Sequence, residues 1–288
     1  MKKLSVITLT WNKLNEATKP YIKNLYEYTN EEDFELVIVD NGSTDGTVEY
    51  LKQLEKEKTN VKVIYNSENL GYSKGNNQGI KISKGEIIGL LNNDIYFNDK
   101  NWLEKMLGFI KTAENPGLVS PFMLISDDCN LFQYFENKYK RLKSEYEKVI
   151  DVFFCCVLFK RELVDEIGLL DENFSPAFFE DNDYSIRSIN AGKYNYVFNE
   201  VFIYHNSSQT SKIFSKTKND LLDRNKNYYI SKHGFLAEYI YNTNAKYGQL
   251  VRKQKRMEKC LFWFLVNLEL KLEERFEKIF RGLIRKMK

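Results

Sequence analysis

The segment Phe178-Phe179-Glu180-Asp181-Asn182-Asp183-Tyr184-Ser185-Ile186-Arg187 sets three acids directly behind two aromatic side chains. Carboxylates are seldom buried unless something pairs with them or uses them. Acids beside apolar residues therefore suggest a carboxylate at a pocket edge with a shifted pKa, as a general base needs. The plainer alternative is a helix start, where acids in the first turn favour the macrodipole. Two further stretches are rich in oxygen ligands. Asp40 is followed by Asn41-Gly42-Ser43-Thr44-Asp45-Gly46-Thr47, a strand-turn-helix that can offer backbone N–H groups and a carboxylate to a ligand. Asn92-Asn93-Asp94 can offer oxygens to a divalent cation. Each of the two is also an ordinary turn sequence.

The elements that must position these residues alternate between strand and helix. Leu4 to Leu9, Glu35 to Val39, Val61 to Tyr65 and Ile87 to Leu91 read as buried strands. Leu14 to Tyr28, Val48 to Lys58 and Lys74 to Ile82 read as the helices between them. This alternation predicts an α/β fold, a mostly parallel sheet with helices on both faces. Ligands in such sheets bind beyond the carboxyl ends of the strands, where Thr8 to Asn12, Asp40 and Asp94 fall. Further on, the pattern predicts helices over Trp102 to Thr112, Arg161 to Ile167 and the acidic segment to about Ala191. It predicts strands over Leu118 to Ile125, Val152 to Phe159, Tyr194 to Phe198 and Val201 to His205. Leu131 to Lys148 is polar, tyrosine-rich and without a clear period. Beyond about Ser215 helix formers dominate, so the expected division is a catalytic domain over 1–215 and a helical extension over 216–288.

Composition bounds the function. The chain has 288 residues, 43% hydrophobic and 29% charged, which suits a soluble globular protein. A net charge of +3 without a basic stripe argues against nucleic acid as a partner. Cys129, Cys155, Cys156 and Cys260 form no Cys-x-x-Cys pair, and reduced core thiols of a cytoplasmic protein are expected. The N-terminus lacks the apolar run and cleavage site of a signal peptide. No segment approaches the ~20 apolar residues of a membrane span.

Taken in order, five motifs resemble family 2 glycosyltransferases of the GT-A fold. They are Val6-Ile7-Thr8-Leu9-Thr10-Trp11-Asn12, Val39-Asp40 with the turn after it, Asn69-Leu70-Gly71-Tyr72-Ser73-Lys74-Gly75-Asn76-Asn77-Gln78-Gly79, Asn92-Asn93-Asp94 and Glu180-Asp181-Asn182-Asp183. The resemblance covers roughly residues 4 to 235, and Arg224-Asn225-Lys226-Asn227-Tyr228-Tyr229 is similar to the bacterial rhamnosyltransferase-like branch. It implies an inverting transfer of a sugar from a nucleotide-diphosphate donor to a hydroxyl of a glycan, lipid-linked or protein-linked acceptor, in cell-surface polysaccharide or glycoconjugate synthesis. Thr8, Asn12, Asp40, Asn69, Gly71, Lys74, Asn77 and Asn93 would bind the donor. Asp94 matches the last acid of the family's Asp-x-Asp motif and would hold Mn²⁺ or Mg²⁺, with His205 assisting. Asn92 stands where many members have Asp, which removes one carboxylate from the ion. Asp181 matches the catalytic base; Glu180 beside it is the alternative, and Asp183 reads as a capping or supporting acid.

The C-terminal stretch is a separate problem. Residues 252–259 carry five basic side chains and one acid, followed by Leu261-Phe262-Trp263-Phe264-Leu265-Val266. Leu272, Phe276, Ile279, Phe280, Leu283 and Met287 then recur at helical spacing. An amphipathic helix of this kind suits the inner membrane surface, a second copy of the chain, or packing on its own domain. The sequence disfavours three rival functions. A non-catalytic GT-A scaffold would not need Asp40, Asp94 and Asp181. A nucleotidyltransferase would need a Gly- and Arg-rich loop where Thr8-Leu9-Thr10-Trp11-Asn12 stands. A dinucleotide oxidoreductase would need Gly-x-Gly-x-x-Gly after the first strand.

Overall fold

A computed structural model describes residues 3–125, 144–206, 218–234 and 237. The chain divides into two compact units, Met1–Tyr229 and Ile230–Lys288. The amphipathic stretch expected from 252 onward lies outside the described residues, as do Cys129 and Cys260.

Strands β1 (Leu4–Thr10), β2 (Phe34–Asp40), β3 (Val61–Tyr65) and β4 (Ile87–Leu91) pair in parallel in the order β3-β2-β1-β4. Every residue of β2 is buried, the continuous apolar run of a strand covered on both faces. Helices α1 (Lys19–Tyr28), α2 (Thr47–Glu57) and α3 (Tyr72–Ile82) make the crossovers. Alternate strand residues separate into two cores. Val6, Leu36 and Ile38 pack with Tyr21, Ile22 and Leu25 of α1 and with Leu51 of α2. Ile7 and Val37 pack with Ile80 of α3 on the other face. The period-two alternation of side chains is thus read out as one helical layer on each face.

The second half is mixed. It comprises β5 (Ile95–Phe97), α4 (Trp102–Thr112), β6 (Pro116–Ile125), β7 (Tyr146–Val149), β8 (Cys156–Lys160), α5 (Arg161–Ile167), α6 (Glu180–Asn190), β9 (Tyr194–His205) and α7 (Lys218–His233). Strand β8 runs antiparallel between β4 and β6, and β9 lies parallel to β6 but antiparallel to β5 and β7. Leu91 at the end of β4 therefore faces Cys156 at the start of β8. Ile95, just past Asp94, faces His205 at the end of β9. One edge of the sheet collects the ends of β1, β2, β4 and β9 with the beginning of β8. The thiols of Cys155 and Cys156 there are free and buried, as expected of core cysteines.

Several boundaries differ from expectation for identifiable reasons. The helix expected from Leu14 begins as a five-residue π-turn, Leu14–Thr18, and becomes α-helical at Lys19, with Pro20 in its first turn. Strand β8 starts at Cys156 rather than Val152, because Val152 and Phe154 are buried by packing without strand pairing. The two strands expected over 194–205 are one, with a register shift against β6 between Pro121 and Phe122. No helix among the described residues is long and apolar enough to cross a membrane.

Candidate active site

Asp40 closes β2 and is completely buried. Its Oδ2 accepts the Ser43 N–H at 3.1 Å, while Oδ1 has no hydrogen-bond partner among the described residues. A buried carboxylate oxygen left this way is unfavourable unless a ligand donates to it. The turn around it is tied to the β1 loop. Asn12, at φ 56°, accepts the Thr44 N–H at 2.8 Å through Oδ1 and donates its own N–H to Ser43 at 2.7 Å. Asn12 therefore shapes the turn beside Asp40. Thr8 is drawn inward, its hydroxyl bonded to that of Tyr21 at 2.9 Å.

The Asn69-to-Asn77 loop closes the next side. Asn69 Oδ1 accepts the Gly71 N–H at 2.9 Å, and Gly71 sits at φ +85° with Pro176 packed against it. A Cβ there would lie 2.8 Å from the Pro176 backbone, so glycine meets both the left-handed conformation and the close approach. Glycines also bring α3 against β1. A Cβ on Gly75 would come 2.7 Å from the Leu9 side chain, and one on Gly79 would collide with Ile7. Lys74 is exposed. Asn77 is buried, donating to Leu170 O at 2.9 Å and Glu172 at 3.0 Å and accepting the Leu170 N–H at 3.0 Å. That amide holds α3 to the chain before α6 through both its N–H groups and its oxygen.

Asp94 follows β4, buried. Its Oδ1 lies 3.1 Å from His205 Nε2 but out of hydrogen-bond alignment, and has no hydrogen-bond partner among the described residues. Asn93 donates to Thr18 Oγ1 at 3.2 Å, and the Asn92 N–H donates to Cys155 O at 2.9 Å. Among the described residues no cluster of three or more His, Cys, Asp and Glu forms a cation cage. Asp94 and His205 would supply two protein ligands to a divalent ion.

The acidic segment is the first turn of α6, as the plainer alternative held; Glu180 and Asp183 are buried there and Asp181 is half-buried. Burial raises the Asp181 carboxyl above its ordinary value. Burial and then the Asp181 charge raise Glu180 further, and Glu180 Oε2 has no hydrogen-bond partner among the described residues. Asp183 is separate. Its Oδ2 accepts from Arg187 Nε at 2.9 Å within the same helix, and Arg187 also donates to Ile167 O and Leu169 O. The pairing ties Asp183 to Arg187 within the helix, apart from Glu180 and Asp181.

Cys155, outside the sequence motifs, and Tyr72, within the Asn69-to-Gly79 motif, touch these parts. Cys155 feels the charges of both Asp94 and Asp181. Burial first, then the Asp94 and more weakly the Asp181 charge, push its thiol up to about 12. Tyr72 donates from its hydroxyl to Phe154 O at 2.6 Å and from its N–H to Pro176 O at 2.7 Å. Burial, with the charges of Glu180 and Asp181, holds its phenol well above the ordinary range. Ser73 Oγ, in the first turn of α3, is a further buried atom with no hydrogen-bond partner among the described residues. A cysteine inside an apolar run carries no signal that would single it out, and Tyr72 and Ser73 stand in the Asn69-to-Gly79 motif without a role of their own there.

Comparison with known proteins places this arrangement. The fold is shared with a mannosyltransferase from Pyrobaculum calidifontis solved with GDP-Man and Mn²⁺, at TM-score 0.57 and 18% identity over 72% of this chain and 58% of that one. It is shared with residues 1–349 of S. aureus TarS solved with UDP-GlcNAc, at TM-score 0.56 and 20% identity over 73% and 59%. The architecture is therefore GT-A. An uncharacterized protein of Sinorhizobium fredii is 27% identical over 71% of this chain and 24% of its own length. The putative teichuronic acid biosynthesis glycosyltransferase TuaG of Bacillus subtilis is 32% identical over 43% of this chain and 48% of its own. The chain thus spans about a quarter and about half of these two relatives. Residues 5–168, more than half of the sequence, match the model of Glycosyl transferase family 2, and the chain belongs to that family.

Proposed function

We propose that this chain is an inverting glycosyltransferase that moves a sugar from a nucleotide-diphosphate donor to an acceptor hydroxyl in cell-surface polysaccharide or glycoconjugate synthesis. The observation that carries the reading is the set of buried carboxylate oxygens, on Asp40 and Asp94 at one sheet edge and on Glu180 at the start of α6, that have no hydrogen-bond partner among the described residues. The GDP-Man and Mn²⁺ of the Pyrobaculum structure and the UDP-GlcNAc of the TarS structure support a nucleotide-sugar donor and a divalent ion. Asp40 accepts from the nucleotide, and the Gly71 loop presents its backbone to it. Asp94 and His205 hold Mn²⁺ or Mg²⁺, which when bound neutralises charge on the departing diphosphate. Asp181 takes the proton of the acceptor hydroxyl as that oxygen attacks the anomeric carbon from the face opposite the diphosphate. The sugar–phosphate bond breaks as the new glycosidic bond forms, and the anomeric configuration inverts.

A melting screen against UDP-, GDP- and dTDP-sugars with Mn²⁺ tests this. At a hundredfold excess over Kd, a donor adds about 2.7 kcal/mol of stability, a rise of roughly 5–10 °C. One nucleotide class is expected to give that shift, and silence from all of them with and without Mn²⁺ would overturn the reading. The basic, amphipathic sequence from 252 supports an acceptor presented at a membrane surface, as a lipid-linked one would be, since each Lys or Arg near an anionic surface contributes ~1 kcal/mol. Ending the chain at Leu250 is expected to abolish co-sedimentation with phosphatidylglycerol vesicles. Unchanged co-sedimentation would remove the membrane role, and a drop in solution mass instead would assign the stretch to self-association.

A further inference from the structure

The Arg224–Tyr229 part of α7 has no role in the chemistry above, yet it is built onto the loop that carries the acids. Asn225 is buried, and its Nδ2 stands 2.9 Å from Phe174 O, 2.9 Å from Ala177 O and 3.0 Å from Phe178 O. An amide has two N–H groups, so three carbonyls share two protons. Its Oδ1 accepts from Arg224 Nε at 3.0 Å, which orients the amide with nitrogen toward the carbonyls. Arg224 Nη2 donates to Ser175 O, and Tyr228 donates to Asp171 at 2.9 Å. The loop's other flank is held by α3, through the Tyr72 N–H on Pro176 O.

The held carbonyls end where the backbone is most unusual. Phe178 and Phe179 are consecutive left-handed residues, at φ 82° and 72°. Non-glycine residues in that region persist only where the surroundings over-determine them. Helix α6 starts directly after Phe179 without a side-chain cap, so the heading of Glu180 and Asp181 is set by these two backbone turns. Asn225 touches neither acid, and Asp40 and Asp94 belong to other elements.

We propose that Asn225 is a positioning residue whose amide gathers three carbonyls and so holds the left-handed Phe178–Phe179 turn that aims Asp181 at the acceptor hydroxyl. The proposal rests on the reading of Asp181 as base. A misplacement of about 1 Å can lower a rate by 10²-fold without weakening ligand binding. The test uses the full chain with Asn225→Ala and Asn225→Ser, Mn²⁺, and the UDP-, GDP- or dTDP-sugar that shifts wild-type melting. Turnover and hydrogen exchange of the 174–183 amides are both measured. For Asn225→Ala we expect kcat to fall at least tenfold, donor KM to stay within twofold, and exchange to quicken at least tenfold in that loop alone. Asn225→Ser, which keeps one donor, should recover part of the rate. An active wild type with unchanged kcat in Asn225→Ala overturns the role of Asn225 and leaves the function standing. A wild type that turns over no donor overturns the function and the positioning role together, whatever the exchange shows. Variants that no longer bind the donor overturn it too, because the amide would then hold the fold rather than the base.

Discussion

Asp181→Asn should lower sugar transfer by roughly 10²–10⁴-fold, the range a positioned general base contributes, while donor affinity stays within about threefold. The substitution keeps shape and removes proton acceptance. Because burial raises this carboxyl, wild-type kcat should climb as pH rises through that raised value and fall below it, where the base is protonated. In the variant that limb should vanish. Removing the Asp181 charge also removes one of the causes that hold Glu180 up, so Glu180 ionises more readily there. Wild-type-like turnover in Asp181→Asn would transfer the base assignment to Glu180. Single-turnover rates across pH, with donor affinity measured by calorimetry, separate the two outcomes.

The second large effect is expected at Asp94. Replacing it by Ala leaves His205 alone on the protein side of the ion, so donor affinity in Mn²⁺ should drop at least tenfold, about 1.4 kcal/mol or more. EDTA should bring wild-type affinity down toward that of the variant and lower activity. Calorimetric titration of the donor with Mn²⁺ and with EDTA makes the comparison directly. If Asp94→Ala binds donor normally and EDTA changes nothing, the ion is dispensable and Asn92 marks a site that has lost it.

Much of the frame was legible because burial on two faces leaves continuous apolar runs. Strands β3 and β4 and helices α4 and α5 have the bounds their sequences predict. The antiparallel half was less legible. Strand β5 is three residues long, too short for any period to declare itself, and β7 hides in a polar, tyrosine-rich run. Nothing local announces that β8 inserts antiparallel between β4 and β6, because strand order is decided by contacts distant in sequence. The same division holds at the site. Its acids stand out as acids, but their separate roles do not. That Asp183 is neutralised by Arg187 follows from helical spacing, whereas the left-handed turn at Phe178 and Phe179 has no sequence mark, since phenylalanine is not a residue that prefers it. Asn77 shows another case, a motif residue whose amide bonds to Leu170 and Glu172 of the scaffold.

The contact between α3 and β1 has a bearing on how this pocket can change over generations. At Gly75 and Gly79 the helix already stands at the nearest approach its backbone allows, with Leu9 and Ile7 filling the space a side chain would occupy. Every substitution at these two positions adds volume, so mutation can push the donor loop away from the sheet and can never draw it closer. Substitution at these glycines can therefore move α3 in one direction only, and a closer approach has to be reached by trimming Leu9 or Ile7 on the β1 side.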